Sequence, residues 1–230
     1  MSGAHETPIL VIDDEPPIRR MLRTSLGANG FQVLEAANGR DGLAAIEAQK
    51  PEIIVLDLGL PDLDGLDIIR TLRGAGNKTP IIVLSSRGEE RIKVEALDAG
   101  ADDYVTKPFG IAELIARIRA AFRHRLQMQG AEPVFESAGL RVDLVRRIVT
   151  VGGAEVKLSP KEYDILRLLV LHAGKVLTHR FLMHEVWGAG GDVQYLRIYV
   201  RQLRAKIEAR PEQPEHIVTE TGVGYRLQLR

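Results

Sequence analysis

Four segments of this chain end in groups able to hold a cation or a phosphoryl oxygen. Asp13 and Asp14 follow the apolar run Ile9-Leu10-Val11-Ile12, and Asp57 follows Ile53-Ile54-Val55-Leu56. Ser85 closes a third run, and Lys107 stands between Tyr104-Val105-Thr106 and Pro108. Carboxylates are the hard oxygen ligands that Mg²⁺ prefers, and three of them crowded together repel unless a cation compensates. Asp14 and Asp57 can each give one oxygen, with Asp13 acting through a water. Asp57, kept ionised, can then attack phosphorus, while Lys107 and the Ser85 hydroxyl neutralise the equatorial oxygens. Taken singly, Asp13-Asp14-Glu15 also reads as a solvated turn and Asp57 as a helix cap. Together they point to metal-assisted phosphoryl chemistry.

The elements that must gather these groups are legible in the period of the apolar residues. Strand-like runs at 8–12, 31–35, 53–57, 80–85 and 103–106 alternate with amphipathic stretches such as 18–26 and 42–48. That alternation predicts an α/β, five-stranded, doubly wound parallel sheet over residues 7–126. In such sheets ligands bind beyond the carboxyl ends of the strands, so the four segments should meet at one rim. A last helix from 111 to about 125 runs into Gln127-Met128-Gln129-Gly130-Ala131-Glu132-Pro133, and residues 127–134 read as a linker.

Bulk properties narrow the classes. Apolar content of 45% and charged content of 27% over 230 residues fit a globular protein of one large or two ordinary domains. Absence of cysteine removes disulfides, thiol nucleophiles and thiolate metal sites, and suits a reducing cytoplasm. The first six residues show no export signal, and no apolar run is long enough to span a bilayer, so a membrane partner is not expected. Residues 1–126 carry 16 Lys and Arg against 19 Asp and Glu, and residues 127–230 carry 15 against 12. The formal charge of zero thus divides into an acidic first part and a basic second part, an excess too small to diagnose nucleic-acid binding.

Beyond residue 135 the grammar changes to α+β. Short strands are expected at 140–142, 148–151 and 155–158, then three helices and a closing hairpin at 216–229. Asp192 could cap a helix running to about Glu208, with Leu196, Val200, Leu203 and Ile207 on its inner stripe. Arg197, Arg201 and Arg204 form a second stripe, accompanied by Tyr195, Tyr199, Gln202 and Lys206. Such a surface suits phosphate and base-edge contacts in a major groove, and equally a solvated amphipathic helix.

The motifs Ile12-Asp13-Asp14-Glu15, Leu56-Asp57-Leu58-Gly59-Leu60-Pro61-Asp62, Val83-Leu84-Ser85 and Tyr104-Val105-Thr106-Lys107-Pro108-Phe109 resemble the receiver domain of two-component response regulators over residues 8 to about 124. The resemblance implies that Asp57 is the phospho-acceptor, with a sensor histidine kinase as donor. It implies Mg²⁺ held by Asp14, Asp57 and the Gly59 carbonyl, with Asp13 acting through water. Ser85 and Lys107 would hold phosphoryl oxygens, Tyr104 would be the switch aromatic, and Lys107-Pro108 would be cis. Ser86 departs from the family, which usually has alanine there.

Leu158-Ser159-Pro160-Lys161-Glu162-Tyr163, Gly174-Lys175-Val176-Leu177-Thr178, Glu185-Val186-Trp187-Gly188 and Thr221-Gly222-Val223-Gly224-Tyr225-Arg226 resemble the winged-helix DNA-binding effector of the OmpR/PhoB subfamily, over roughly 135–229. The subfamily implies a helix-turn-helix from 178–186 and 193–208, a wing at 222–226 bringing Arg226 to the phosphate backbone or minor groove, and duplex promoter DNA as partner. Trp187 is read as core. It further implies a phosphorylation-dependent homodimer, joined within the 89–122 stretch by Lys93–Glu113, Asp98–Arg119 and Asp103–Arg117 between subunits. The loop at 188–192, which in relatives can touch RNA polymerase, is short and glycine-rich here. Leu196-Arg197-Ile198-Tyr199 stands where the subfamily usually carries an acidic and a small polar residue. That departure, with Leu58-Gly59-Leu60, Val83-Leu84-Ser85 and the 219–226 ending, resembles regulators of high-affinity potassium-uptake operons. A metal-dependent phosphohydrolase and a phosphorylation-dependent protein-interaction module are the rival readings.

Overall fold

The computed structural model describes residues 7–86, 90–188 and 192–229. The first six residues, Glu89 at the start of the expected dimer face, and the centre of the 188–192 loop lie outside the described residues. The chain divides into two compact units, one ending at Met128 and the other beginning at Gln129.

In the first unit, the β-branched runs form strands β1 (Thr7–Ile12), β2 (Phe31–Ala36), β3 (Ile53–Asp57), β4 (Ile81–Ser85) and β5 (Asp103–Thr106). They pair in parallel in the order β2-β1-β3-β4-β5. Five helices alternate with them: α1 (Pro16–Gly27), α2 (Gly39–Gln49), α3 (Gly65–Gly74), α4 (Glu90–Asp98) and α5 (Ile111–Met128). Leu10, Ile12, Ile54, Leu56, Ile81, Val83 and Tyr104 pack with Ile46, Ile68, Ile69, Leu72 and Ala96 from α2, α3 and α4. By the strand pleat the alternate residues face the other way, towards Leu22 and Leu26 of α1 and Ile118 and Phe122 of α5. Burial on both faces is why these strands read as continuous apolar runs.

The order reverses at β1, whose neighbours β2 and β3 are reached by crossovers in opposite directions. This opens a crevice at the carboxyl ends of β1 and β3. Ile12 is opposite Leu56, so the next residues, Asp13 and Asp57, stand side by side. Ser85 is opposite Thr106, which brings Lys107 to the same rim, and its amide donates to the Ser85 carbonyl at 2.9 Å. Lys107-Pro108 is cis. Gly65 at the start of α3 allows the chain after Asp57 to fold back tightly, since a Cβ there would lie 2.7 Å from the Leu58 Cα.

The second unit opens with an antiparallel meander: β6 (Val134–Ser137), β7 (Leu140–Asp143), β8 (Ile148–Val151) and β9 (Ala154–Glu155). β6 falls outside the expected strands: it begins at Val134, the last residue of the segment read as linker, and continues to Ser137. Of the third expected strand, 155–158, only Glu155 lies within β9, although the Val156 amide still donates to the Val149 carbonyl at 2.8 Å, and Pro160 then starts the next helix. α5 also continues to Met128, two residues into the expected linker.

Helices α6 (Pro160–Leu171), α7 (His179–Trp187) and α8 (Val193–Ile207) follow, with β10 (Val176–Thr178), β11 (Ile217–Glu220) and β12 (Gly224–Leu227) in a sheet ordered β10-β12-β11. Ile165, Leu166, Leu169, Leu182 and Val186 pack with Leu196, Val200, Leu203 and Ile207 as the core of this unit. The short strand β10 was not anticipated. Its closeness to β12 depends on Gly224, where a Cβ would sit 1.9 Å from the Leu177 carbonyl oxygen.

Candidate functional site

At the rim of the parallel sheet, Asp13 and Asp57 are buried and Asp14 is exposed. One carboxylate oxygen from each lies within 4.8 Å of the others. Lys107 crosses from the end of β5 into this group. Its ammonium donates to Asp57 Oδ2 at 2.5 Å, Asp13 Oδ2 at 2.8 Å and Glu15 Oε1 at 3.0 Å. The other Asp57 oxygen, Oδ1, accepts from the Gly59 amide at 2.9 Å, and Asp13 Oδ1 accepts from the Glu15 amide at 2.8 Å. Burial pushes the Asp13 carboxyl above its ordinary range, against the lowering pull of its Lys107 and Glu15 hydrogen bonds. Burial alone would lower the Lys107 pKa. The hydrogen bonds to Asp13, Asp57 and Glu15 outweigh it and hold the ammonium charged.

Ser85 ends β4, buried. Tyr104 is buried in the core one strand over. Ser86 is exposed. Two neighbours were not singled out from sequence. Glu15 is the third acceptor of Lys107, a role its place in Asp13-Asp14-Glu15 could have suggested. Asp62 accepts from the Gly39 and Arg40 amides at 2.7 and 3.0 Å, capping α2 from the loop that follows Asp57. That contact spans 23 residues, and no local pattern announces it.

On the expected dimer face, Arg117 is already paired within its own chain. Its Nη1 donates to both Asp103 oxygens at 3.0 and 2.9 Å, and its Nη2 to Glu113 at 2.9 Å. In the single chain Asp103 and Arg117 thus form an intrachain pair. The i, i+4 spacing on α5 explains why Glu113 meets Arg117 within the chain. Arg119 donates to Asn29 at 3.3 Å. Lys93 and Asp98 are exposed on α4.

In the second unit, Asp192 caps α8 by accepting from the Gln194 amide at 2.9 Å, and Thr178 caps α7. Tyr195, Arg197, Arg201 and Gln202 are exposed on α8, opposite its buried stripe. Three other candidates are committed elsewhere. Arg204 donates to the Ile217 carbonyl and Thr219 Oγ1, Lys206 donates to buried Glu162, and Tyr199 packs against Trp187 with ring centroids 5.7 Å apart. Each lies at the margin of the helix face that packs on the protein, so charge at helical spacing was not enough to assign them to a ligand. Arg226 on β12 pairs with Glu220 at 2.6 Å. Trp187 is half-buried beneath the Lys161 ammonium.

A carboxylate cluster at the switch point of a 2-1-3-4-5 sheet, joined to a three-helix unit with a β-hairpin, defines a class. The response regulator receiver domain family matches residues 9–119, and the C-terminal domain family of transcriptional regulatory proteins matches residues 153–227. The chain belongs to the two-component response regulators with a DNA-binding C-terminal domain, a class of regulators and not of conventional enzymes. Within it the chain is KdpE-like. It is 48% identical over 225 residues to the KDP operon transcriptional regulatory protein KdpE of Escherichia coli (strain K12), covering 97% of this chain and 100% of that protein. It is 47% identical over 225 residues to transcriptional regulatory protein KdpE of Mycobacterium tuberculosis (strain CDC 1551 / Oshkosh), covering 96% and 99%. Among solved structures, the receiver domain of the Francisella response regulator 1452 is 35% identical, with a TM-score of 0.50, over 52% of this chain and 98% of that one.

Proposed function

We propose that a sensor histidine kinase of the KdpD type phosphorylates Asp57, and that the phosphorylated chain dimerises and binds the promoter of a potassium-transport operon in the cytoplasm. The observation that supports this most is the convergence of Asp13, Asp14, Asp57 and Lys107 on one rim. The donor set is all oxygen and fits Mg²⁺, which Asp14, Asp57 and the Gly59 carbonyl would hold, with Asp13 acting through water. When bound, Mg²⁺ supplies charge neutralisation for carboxylates and phosphoryl oxygens alike.

The chain's own groups do the rest. An Asp57 oxygen forms a bond to phosphorus as the phosphorus–nitrogen bond of the donor's phosphohistidine breaks, and the imidazole nitrogen leaves with the electron pair and takes up a proton. Lys107 turns from the Asp57 carboxylate to the phosphoryl oxygens, and the Ser85 hydroxyl donates to another. The Gly59 amide keeps the Asp57 carboxylate oriented. Moving Ser85 frees space next to Tyr104, and that rearrangement carries the signal to the α4–β5–α5 face. Two effectors brought together then bind adjacent half-sites at raised effective concentration. The same groups assist hydrolysis of the phospho-aspartate, which is the limit of catalysis assigned to this chain.

The test is phosphorylation of the full chain from a small-molecule phosphate donor with Mg²⁺, read by intact mass. Asp57→Asn should remain unmodified, and Lys107→Met should be modified about 100-fold more slowly. Modification of Asp57→Asn to the wild-type extent would remove the acceptor assignment. Steady turnover of phosphate esters by wild type would favour a hydrolase.

A further inference from the structure

The last turn of α8 is fastened to the β11–β12 hairpin from two directions. Arg204 reaches across with Nη2 2.6 Å from the Ile217 carbonyl and 2.8 Å from Thr219 Oγ1, and with Nε 3.1 Å from the same carbonyl. Its guanidinium lies 5.7 Å from the centroid of the Tyr225 ring on β12. Glu208, the residue after α8, is buried and spends its carboxylate on backbone amides. It accepts from Glu215 at 2.8 Å, from His216 at 3.1 Å and from Ile217 at 2.9 Å. One residue thus holds the carbonyl of Ile217 and the other holds its amide.

A buried carboxylate accepting several amides is a rigid joint, because every donor loses its partner if the carboxylate moves. Arg204 adds a forked contact that a lysine cannot reproduce. Among the residues of α8, Arg204 was expected to meet DNA, but its Nε and Nη2 donors point at protein acceptors. Arg226, the hairpin cation, is carried on the strand next to the one these two residues hold.

We infer that Arg204 and Glu208 are positioning residues that lock the β11–β12 hairpin to α8, so that helix and wing engage duplex DNA as one rigid body. The lock, and not a direct phosphate contact by Arg204, sets where Arg226 lies. This rests on the reading of the second unit as a DNA-binding domain.

The experiment measures binding of the phosphorylated full chain to a mixed-sequence duplex oligonucleotide across a series of salt concentrations. Each phosphate contact contributes about 0.9 to the slope of log affinity against log salt. Arg226→Ala should lower the slope by about that amount per bound effector. Glu208→Gln should lower it equally although it removes no positive charge, because an amide offers one acceptor and places donors against backbone N–H groups. Glu208→Gln combined with Arg226→Ala should lower it no further, and Arg204→Lys should behave like Arg204→Ala. Fluorescence of Trp187, the single tryptophan, reports whether each variant is folded. Thr219→Val is a milder variant that removes one wing acceptor, and it should give a smaller loss of the same kind. A wild-type slope for folded Glu208→Gln, with additive losses for Arg204→Ala and Arg226→Ala, overturns the lock. Absence of salt-dependent duplex binding by wild type would instead overturn the DNA-binding reading, and the lock with it.

Discussion

The ammonium of Lys206 on α8 lies 2.6 Å from the Glu162 carboxylate on α6. Glu162 is buried, and the same oxygen also accepts from the Ser159 amide at 2.6 Å, so one carboxylate starts α6 and anchors α8. Lys206 also donates to the Lys157 carbonyl at 3.2 Å. A lysine read as a DNA contact is thus the counter-charge of a buried acid. Removing it leaves that acid unpaired in a site with little water. Lys206→Ala should destabilise the second unit by roughly 2 kcal/mol, less than the loss of a fully buried pair costs, because Lys206 keeps partial access to solvent. Denaturant unfolding followed by Trp187 fluorescence measures this. The salt slope of DNA binding by the folded variant should match wild type, whereas a slope lowered by about one would return Lys206 to the interface.

A second prediction comes from Gly224. Its backbone passes so close to Leu177 that a methyl group would force β10 away from β12. Gly224→Ala should cost about 3 kcal/mol, through overpacking against backbone that cannot yield as a side chain would. The same Trp187 fluorescence measurement checks it, and a loss below about 1 kcal/mol would mean that the two strands separate readily.

Gly224 also shows where sequence reasoning stops. The five parallel strands were legible because each is buried on both faces and β-branched, and their carboxyl ends named the rim where Asp13, Asp57 and Lys107 meet. The inner stripe of α8 was legible because Leu196, Val200, Leu203 and Ile207 repeat at helical spacing. By contrast β10 has too few residues to show a period, and β6 begins at the end of a Gly- and Pro-containing stretch; each is held by its neighbour in the sheet. The polar side of α8 carries a uniform-looking set of cations. Only packing separates exposed Arg197 and Arg201 from Arg204 and Lys206, which donate to β11, α6 and the chain just before it.

Asp13 gives a prediction in pH. Its pKa is raised in the fold by burial, so the folded state holds a proton more firmly there than the unfolded chain does. That contribution favours the fold fully below the ordinary Asp value of 3.8 and is lost as pH rises through the folded value. At neutral pH an ionised Asp13 is therefore a cost. Asp13→Asn, measured with a chelator present, should raise the thermal midpoint of the first unit at neutral pH. The advantage over wild type should shrink towards zero as pH falls below the carboxylate range. Far-UV circular dichroism at several pH values reads this, and an advantage independent of pH would sink the explanation.

Arg117 separates intrachain stability from dimerisation. Its contacts with Asp103 and Glu113 are part-exposed, so their loss should cost the monomer no more than about 1 kcal/mol. If phosphorylation brings two α4–β5–α5 faces together, Arg117 and Asp103 exchange this pairing for one that also spans the subunits, alongside Lys93–Glu113 and Asp98–Arg119. Truncating Arg117 then leaves Asp103 without its cation at the interface, and an unpaired charge there is strongly unfavourable. Arg117→Ala should weaken phosphorylation-dependent dimerisation at least tenfold while leaving Asp57 phosphorylation at the wild-type rate. Sedimentation of the phosphorylated chain over a range of concentrations checks this. A variant that dimerises like wild type would confine Arg117 to its intrachain role.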